Sequence, residues 1–319
     1  MCFRSLKREL NIAFLIVLIL PLATATIYSV NYFSQKIEQD AIERVSSDLG
    51  LVSEIINYEM RDIGQLAQSY ARASHWAVFM NLGLTSKLSE KLKSEAWSRG
   101  LNEVLLVDRK GSVAAGSSLP DGLNAQSVSR ALVEEALSGQ LVTAMELLDG
   151  EAGRSGNRAM LSFTGATPLY APFPDELIGV VVVRRYIDHA LLQRIVPQGM
   201  VPRTFMFAGE TLAATNSPDH GAREFKTLKP AVAEGLLKRG ESVEEVILEP
   251  SGYLAKYTPV LNVEGIPIGA LMVRLPADDY VQTRFRALLV LSGIAVLWLI
   301  LTFVIKFLIQ QKIFTPVKE

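Results

Sequence analysis

Ile178-Gly179-Val180-Val181-Val182-Val183-Arg184 is echoed ninety positions later by Ile268-Gly269-Ala270-Leu271-Met272-Val273-Arg274. Each run reads as one strand of a long hairpin, with Thr167-Pro168 ahead of the first and Thr258-Pro259 ahead of the second. Upstream of each hairpin the likeness continues. Leu105-Leu106-Val107, a polar turn at Asp108-Arg109-Lys110-Gly111 and Val113-Ala114-Ala115 match Phe205-Met206-Phe207, a turn at Ala208-Gly209-Glu210 and Leu212-Ala213-Ala214. These are short strands about a turn. A helical stretch ending in glycine follows in both, Val128 to Gly139 and Ala231 to Gly240, with glycine as the expected C-cap. One more strand, Leu141 to Leu148 or Val243 to Leu248, leads into the hairpin. The order strand, strand, helix, strand, strand, strand, written twice, predicts two α+β modules, each an antiparallel sheet with helices to one side.

The copies differ in one place. Gly139 to Pro168 is 29 positions and Gly240 to Pro259 is 19. The extra length is Asp149 to Arg158, polar and rich in glycine. It reads either as a binding loop on a rigid scaffold or as a solvated hairpin tip.

Outside the repeat lie two apolar runs. Leu10 to Gln35 and Ala287 to Ile305 contain no Asp, Glu, Lys or Arg. At about 1.5 Å per residue the shorter covers about 28 Å, near the thickness of a bilayer core. Arg4, Lys7 and Arg8 precede the first and Lys306 and Lys312 follow the second. Basic flanks stay cytoplasmic. Both termini are therefore expected inside, with the repeat outside, in a two-pass protein of the inner (plasma) membrane. The rival reading of the first run, a cleaved signal peptide, calls for a shorter apolar core.

Between the first run and the first strand, Ile42, Val45, Leu49, Val52, Ile56, Ile63, Leu66 and Tyr70 fall at alternating steps of three and four, with one gap at Glu59. That seam predicts a long helix. A strict stripe suits pairing with a second copy, so a homodimer is expected; the alternative is packing on the chain's own sheets.

Composition narrows the function. The formal net charge is −1, which offers no basic field for nucleic acid. The single cysteine, Cys2, lies ahead of the first apolar run, so the outer region has no disulfide. His75, His189 and His220 lack metal-ligand spacing. No nucleophile elbow and no phosphate-cradling loop is present. No catalytic residue, metal or cofactor is assigned in this segment.

Taken together, the long entry helix, Leu106-Val-Asp-Arg-Lys-Gly-Ser-Val113, Ala166-Thr-Pro-Leu-Tyr170 and the echo Tyr257-Thr-Pro-Val-Leu261 resemble the double Cache family of extracytoplasmic sensor domains, over roughly residues 33 to 280. The resemblance implies two PAS-like modules on one long helix, with a small ligand in the membrane-distal one. It divides the chain into a cytoplasmic N-terminus (1–10), a first transmembrane helix (11–33), the long helix (34–75), a distal module (76–198), a proximal module (199–280) and a second transmembrane helix (286–309). Residues 310–319, with Ile313-Phe-Thr-Pro-Val-Lys-Glu319, are similar to the opening of a HAMP linker. Such a linker runs well past this point, so a longer receptor is expected. The amino-acid signature of some family members, with Tyr, Arg, Trp and Asp at set spacing, is not reproduced between Trp97 and Asp108.

Several residues are candidates for ligand contact. Trp76 and Trp97 would be aromatic walls. Arg154, Arg158 and Arg185 would fork a carboxylate or phosphate. Ser162 and Thr164 share one strand face, and Tyr170 would donate from a strand end. Arg184 ranks below these, because Arg274 repeats it and suggests a role in the fold. The expected function is a transmembrane receptor that senses a small molecule and signals to a cytoplasmic output, first among them a histidine kinase. The alternatives are a chemotaxis transducer, a nucleotide-cyclase receptor, or a non-signalling membrane protein that binds an envelope partner.

Overall fold

The computed structural model describes residues 2–117, 128–148, 159–172, 176–197, 199–201, 203–217, 226–247 and 252–314. Two compact units result. One comprises Val45–Glu245 and Ala255–Leu275 and holds most of both modules; the other comprises Met1–Arg44, Val246–Leu254 and Pro276–Glu319.

Helix α1 (Cys2–Ala71) runs without a break into the first module. Its apolar seam is used within the chain. Val45, Leu49, Val52, Ile56, Ile63 and Tyr70 are buried in the single copy, and Ile42 and Leu66 are half-buried. Residues 3 and 4 apart make a stripe whether the partner is a helix or a sheet, and within this single copy these side chains pack inside the chain. Two short helices follow, α2 (Ser74–Asn81) and α3 (Thr85–Ser98).

The first module contains β1 (Glu103–Asp108), β2 (Val113–Gly116), α4 (Arg130–Leu137), β3 (Val142–Leu148), β4 (Met160–Tyr170) and β5 (Leu177–Tyr186). Its strands form one antiparallel sheet of order β2-β1-β5-β4-β3. Helix α5 (His189–Ile195), capped by the Asp188 carboxylate accepting from the Leu191 amide at 2.7 Å, leads into the second module. That module contains β6 (Thr204–Ala208), β7 (Thr211–Thr215), α6 (Pro230–Ala233) widening into a π turn over Glu234–Lys238, β8 (Val243–Ile247), β9 (Tyr253–Leu261) and β10 (Pro267–Pro276). Its sheet order is β7-β6-β10-β9-β8, the first order repeated. The expected α+β architecture of two antiparallel-sheet modules with a long N-terminal helix is therefore present.

The glycines that open the echoed strands have a steric purpose. A Cβ on Gly179 would collide with the Val107 carbonyl oxygen, and one on Gly269 with that of Phe207. Only glycine fits where the neighbouring backbone approaches so closely. Gly139 and Gly240 both have positive φ, 101° and 68°, and end the helical stretches as expected.

Helix α7 (Ala277–Phe314) closes the described chain. Its stretch Phe285–Ile305 is 21 residues long and apolar enough to cross a membrane, the one such helix among the described residues. The first expected span falls in α1, where side chains up to residue 23 lie outside the described ones. The extra loop, residues 149–158, and the linker-like end, residues 315–319, also lie outside the described residues.

Candidate functional site

Side chains along a strand alternate between the two faces of a sheet. The register of the first sheet sets Glu103 opposite Arg184, Arg184 opposite Thr164, and Ser162 between Tyr186 and Glu146. All six therefore share one face. Farther along that face the residues are apolar: Leu105, Val107, Val180 and Val182 pack beneath Leu132 and Ala136 of α4. One face is thus divided into an apolar half under a helix and a polar half beside it.

The polar half is a connected network built around Arg184, which is 1% exposed. Its Nη1 donates to Glu103 Oε2 at 2.9 Å; its Nη2 and Nε donate to Glu146 Oε2 at 2.9 and 3.1 Å. Thr164 Oγ1 donates to the same Glu146 oxygen at 2.9 Å and lies 3.2 Å from Ser162 Oγ. Tyr186 OH reaches Glu103 Oε2 at 3.5 Å. The other Glu146 oxygen accepts from the backbone amide of Ser129 at 3.2 Å, and Ser129 is the N-cap of α4. Glu146 thus ties the polar half to the helix that covers the apolar half.

Burial would lower the pKa of Arg184, but the charges of Glu146 and Glu103 outweigh it and hold the group above its ordinary value. Tyr186 is pushed up to about 12, first by burial and then by the Glu103 charge. Buried charges are costly unless paired, and a buried ion cluster adds little net stability over apolar packing of the same volume. Such a cluster offers donors and acceptors in fixed positions, suited to orienting a small polar molecule.

The opposite face of the sheet meets helices. Arg185 is there, 11% exposed, with Nη1 donating to Glu59 Oε2 at 2.8 Å and Asp62 Oδ2 at 3.3 Å. Met80 of α2 lies on this side too, its Cε 3.0 Å from where a Cβ on Gly179 would stand. Trp76 of α2 is fully buried in an aromatic group with Tyr70, centroids 6.1 Å apart, and His75 at 4.1 Å. Lys91 Nζ stands 5.5 Å from the Trp76 ring centroid. Tyr70 is pushed up to about 12 by burial.

Of the residues singled out from sequence, Ser162 and Thr164 lie in the polar half. Arg185 and Trp76 belong to the helix side. Tyr170 ends β4 largely exposed, and Trp97 is 87% exposed. The buried stripe of α3 is Leu88, Leu92 and Ala96, at steps of four, and Trp97 falls one residue off it. Arg154 and Arg158 lie outside the described residues. Glu103 and Glu146 of the network are not among the residues read from sequence; Glu103 opens β1 and Glu146 lies between Met145 and Leu147, so the available signal was a carboxylate beside apolar strand residues. Among the described residues no cluster of three or more His, Cys, Asp or Glu could hold a metal.

A concavity of about 600 Å³ lies between α1, β3 and the β9–β10 hairpin, and Glu135 is its one charged lining residue among those described.

No family model and no curated protein matches this chain. Solved structures do. The chain is similar to the sensor domain of the Vibrio cholerae histidine kinase DctB, at 13% identity and a TM-score of 0.48, over 75% of this chain and 98% of that one. It is similar to the sensory domain of the Campylobacter jejuni chemoreceptor Tlp3 (13%, TM-score 0.49, 78% and 99%). It is also similar to the periplasmic domain of Vibrio cholerae LuxQ (10%, TM-score 0.49, 73% and 99%). At these identities no side chain is carried across.

Proposed function

We propose that this chain is a transmembrane sensory receptor of double Cache type, with an extracytoplasmic region that binds a small polar molecule at the polar half of the first sheet. The observation that carries this reading is the buried network of Glu103, Arg184, Glu146, Thr164 and Ser162 beside an apolar floor. Small-molecule sites are commonly apolar with a few placed polar groups, and this sheet face joins those two elements. The two-pass topology, the homodimer and a cytoplasmic output such as a histidine kinase complete the proposal. The basic residues that flank the two apolar runs support the topology, and the apolar stretch of α7 supports the second span.

A ligand acts on such a receptor only through its different affinity for two states. The test is a thermal-shift screen of the full chain in detergent against organic acids, amines, amino acids and nucleobases. A true ligand at a hundred times its Kd adds about 2.7 kcal/mol. The gain should vanish in Thr164→Val and Glu146→Gln. If no compound class shifts the melting curve, or if the shift survives both substitutions, the site is elsewhere or absent.

A further inference from the structure

Arg184 and Arg185 are consecutive on β5, and their side chains leave the sheet on opposite faces. Arg184 is held by Glu103 and Glu146 in the polar half. Arg185 is held by Glu59 and Asp62 of α1. One peptide unit joins them, and consecutive Cα atoms keep a fixed separation. A displacement of β5 at Arg184 therefore reaches Arg185, and with it the helix.

Around this point the rest of the helix–sheet contact is close and mostly apolar. A Cβ on Gly64 would stand 2.7 Å from the Thr143 methyl carbon and 3.3 Å from Leu141 Cδ2. Contacts of that kind resist separation but have little directional preference. An ion pair is directional. It also occupies the place where Glu59 interrupts the apolar seam of α1, at an added cost in burial that packing alone does not explain.

The pairing is incomplete in an informative way. Arg185 Nη1 serves both carboxylates, while its Nε is buried without a hydrogen-bond partner among the described residues. Guanidinium prefers a bidentate fork on one carboxylate. A small shift of β5 along α1 would exchange the shared arrangement for a forked one and satisfy Nε. Two discrete pairings separated by a small shift make a bistable contact, the kind of element that transmits coupling.

We infer that Arg185, with Glu59 and Asp62, is the joint through which the polar half of the first sheet sets the position of helix α1. Arg185 is a positioning residue here and touches no ligand. The direction of the signal, from bound molecule to helix, rests on the sensor reading above; the joint itself operates without a ligand.

The test needs no ligand. Thr164 faces away from α1, so Thr164→Val disturbs the network from the far side of the sheet. Hydrogen exchange is followed in the full chain in nanodiscs, over residues 52–66 of α1. Thr164→Val should change exchange there by about threefold to tenfold. That change should disappear when Arg185→Gln is added. Glu59→Gln with Asp62→Asn, which removes the joint from the helix side, should abolish it equally and serves if Arg185→Gln fails to fold. No change in α1, or an equal change with and without the joint, overturns the inference. A chain that passes this test yet binds nothing in the screen keeps the joint and loses the sensor reading. A chain that binds, but with α1 indifferent to Thr164→Val, does the reverse.

Discussion

Gly165 of β4 lies so close to Ile63 of α1 that a Cβ on it would stand 2.9 Å from the Ile63 carbonyl oxygen and 3.1 Å from its Cγ2. Backbone, not a flexible side-chain end, blocks the space. Gly165→Ala is therefore expected to push helix and sheet apart and to cost about 1–3 kcal/mol. Gly50, also on α1, has nothing within 4 Å of an added Cβ. Gly50→Ala in a helix interior should stabilise by about 0.5–1 kcal/mol. Thermal unfolding of the two variants should move in opposite directions.

The Arg184 network supplies a second prediction. Removing Arg184 alone leaves Glu103 and Glu146 buried together without that counter-charge. Arg184→Met should cost about 3–5 kcal/mol, and adding Glu103→Gln and Glu146→Gln should recover much of the loss. Chemical denaturation of the single and triple variants checks this. A single variant as stable as the parent would mean that the cluster is solvated.

High pH tests the two buried tyrosines. Tyr70 and Tyr186 both stand at about 12 in the fold, pushed up first by burial. In the unfolded chain a tyrosine ionises near 10. Between those values the unfolded state has released protons that the folded state keeps. Stability is therefore full below about pH 10 and declines as the pH rises toward 12. Tyr70→Phe combined with Tyr186→Phe should flatten that decline in a series of melting curves.

Mild acid tests His75. Burial lowers its pKa first, and the Lys91 charge adds to the shift. Below about pH 6.5 the unfolded chain takes up a proton that the folded chain resists. Stability should fall as the pH drops through that region. His75→Gln should show a shallower loss, and an unchanged slope would place the ring in water.

Much of the fold was legible because the two modules state it twice. Ile178-Gly179 and Ile268-Gly269 mark the same strand of each sheet, and Gly139 and Gly240 mark the same helix end. The partner of the α1 seam was not legible, since an apolar stripe does not say whether a sheet or a second helix will cover it. The sequence reading also runs the helix to residue 75, while α1 ends at Ala71 and Ser74 starts a new one. In the site, Ser162 and Thr164 were visible because alternation is local. Glu103 and Glu146 come together with Arg184 across separations of 81 and 38 residues, a matter of register between strands distant in sequence. Arg274 occupies the same position in the second sheet and is likewise buried, which is why the sequence reading pointed to a role in the fold.

Gly179 and Gly269 have a consequence for how this architecture can vary. A residue that fits only against one carbonyl fixes the alignment of its strand from within. The turn at the end of the hairpin is then relieved of that task. Six residues separate β4 from β5 and five separate β9 from β10, yet both modules keep the same strand order. Lengthening or shortening either tip should therefore leave the alignment intact. The hairpin ends are the places where this chain can accept new sequence without redrawing its sheets.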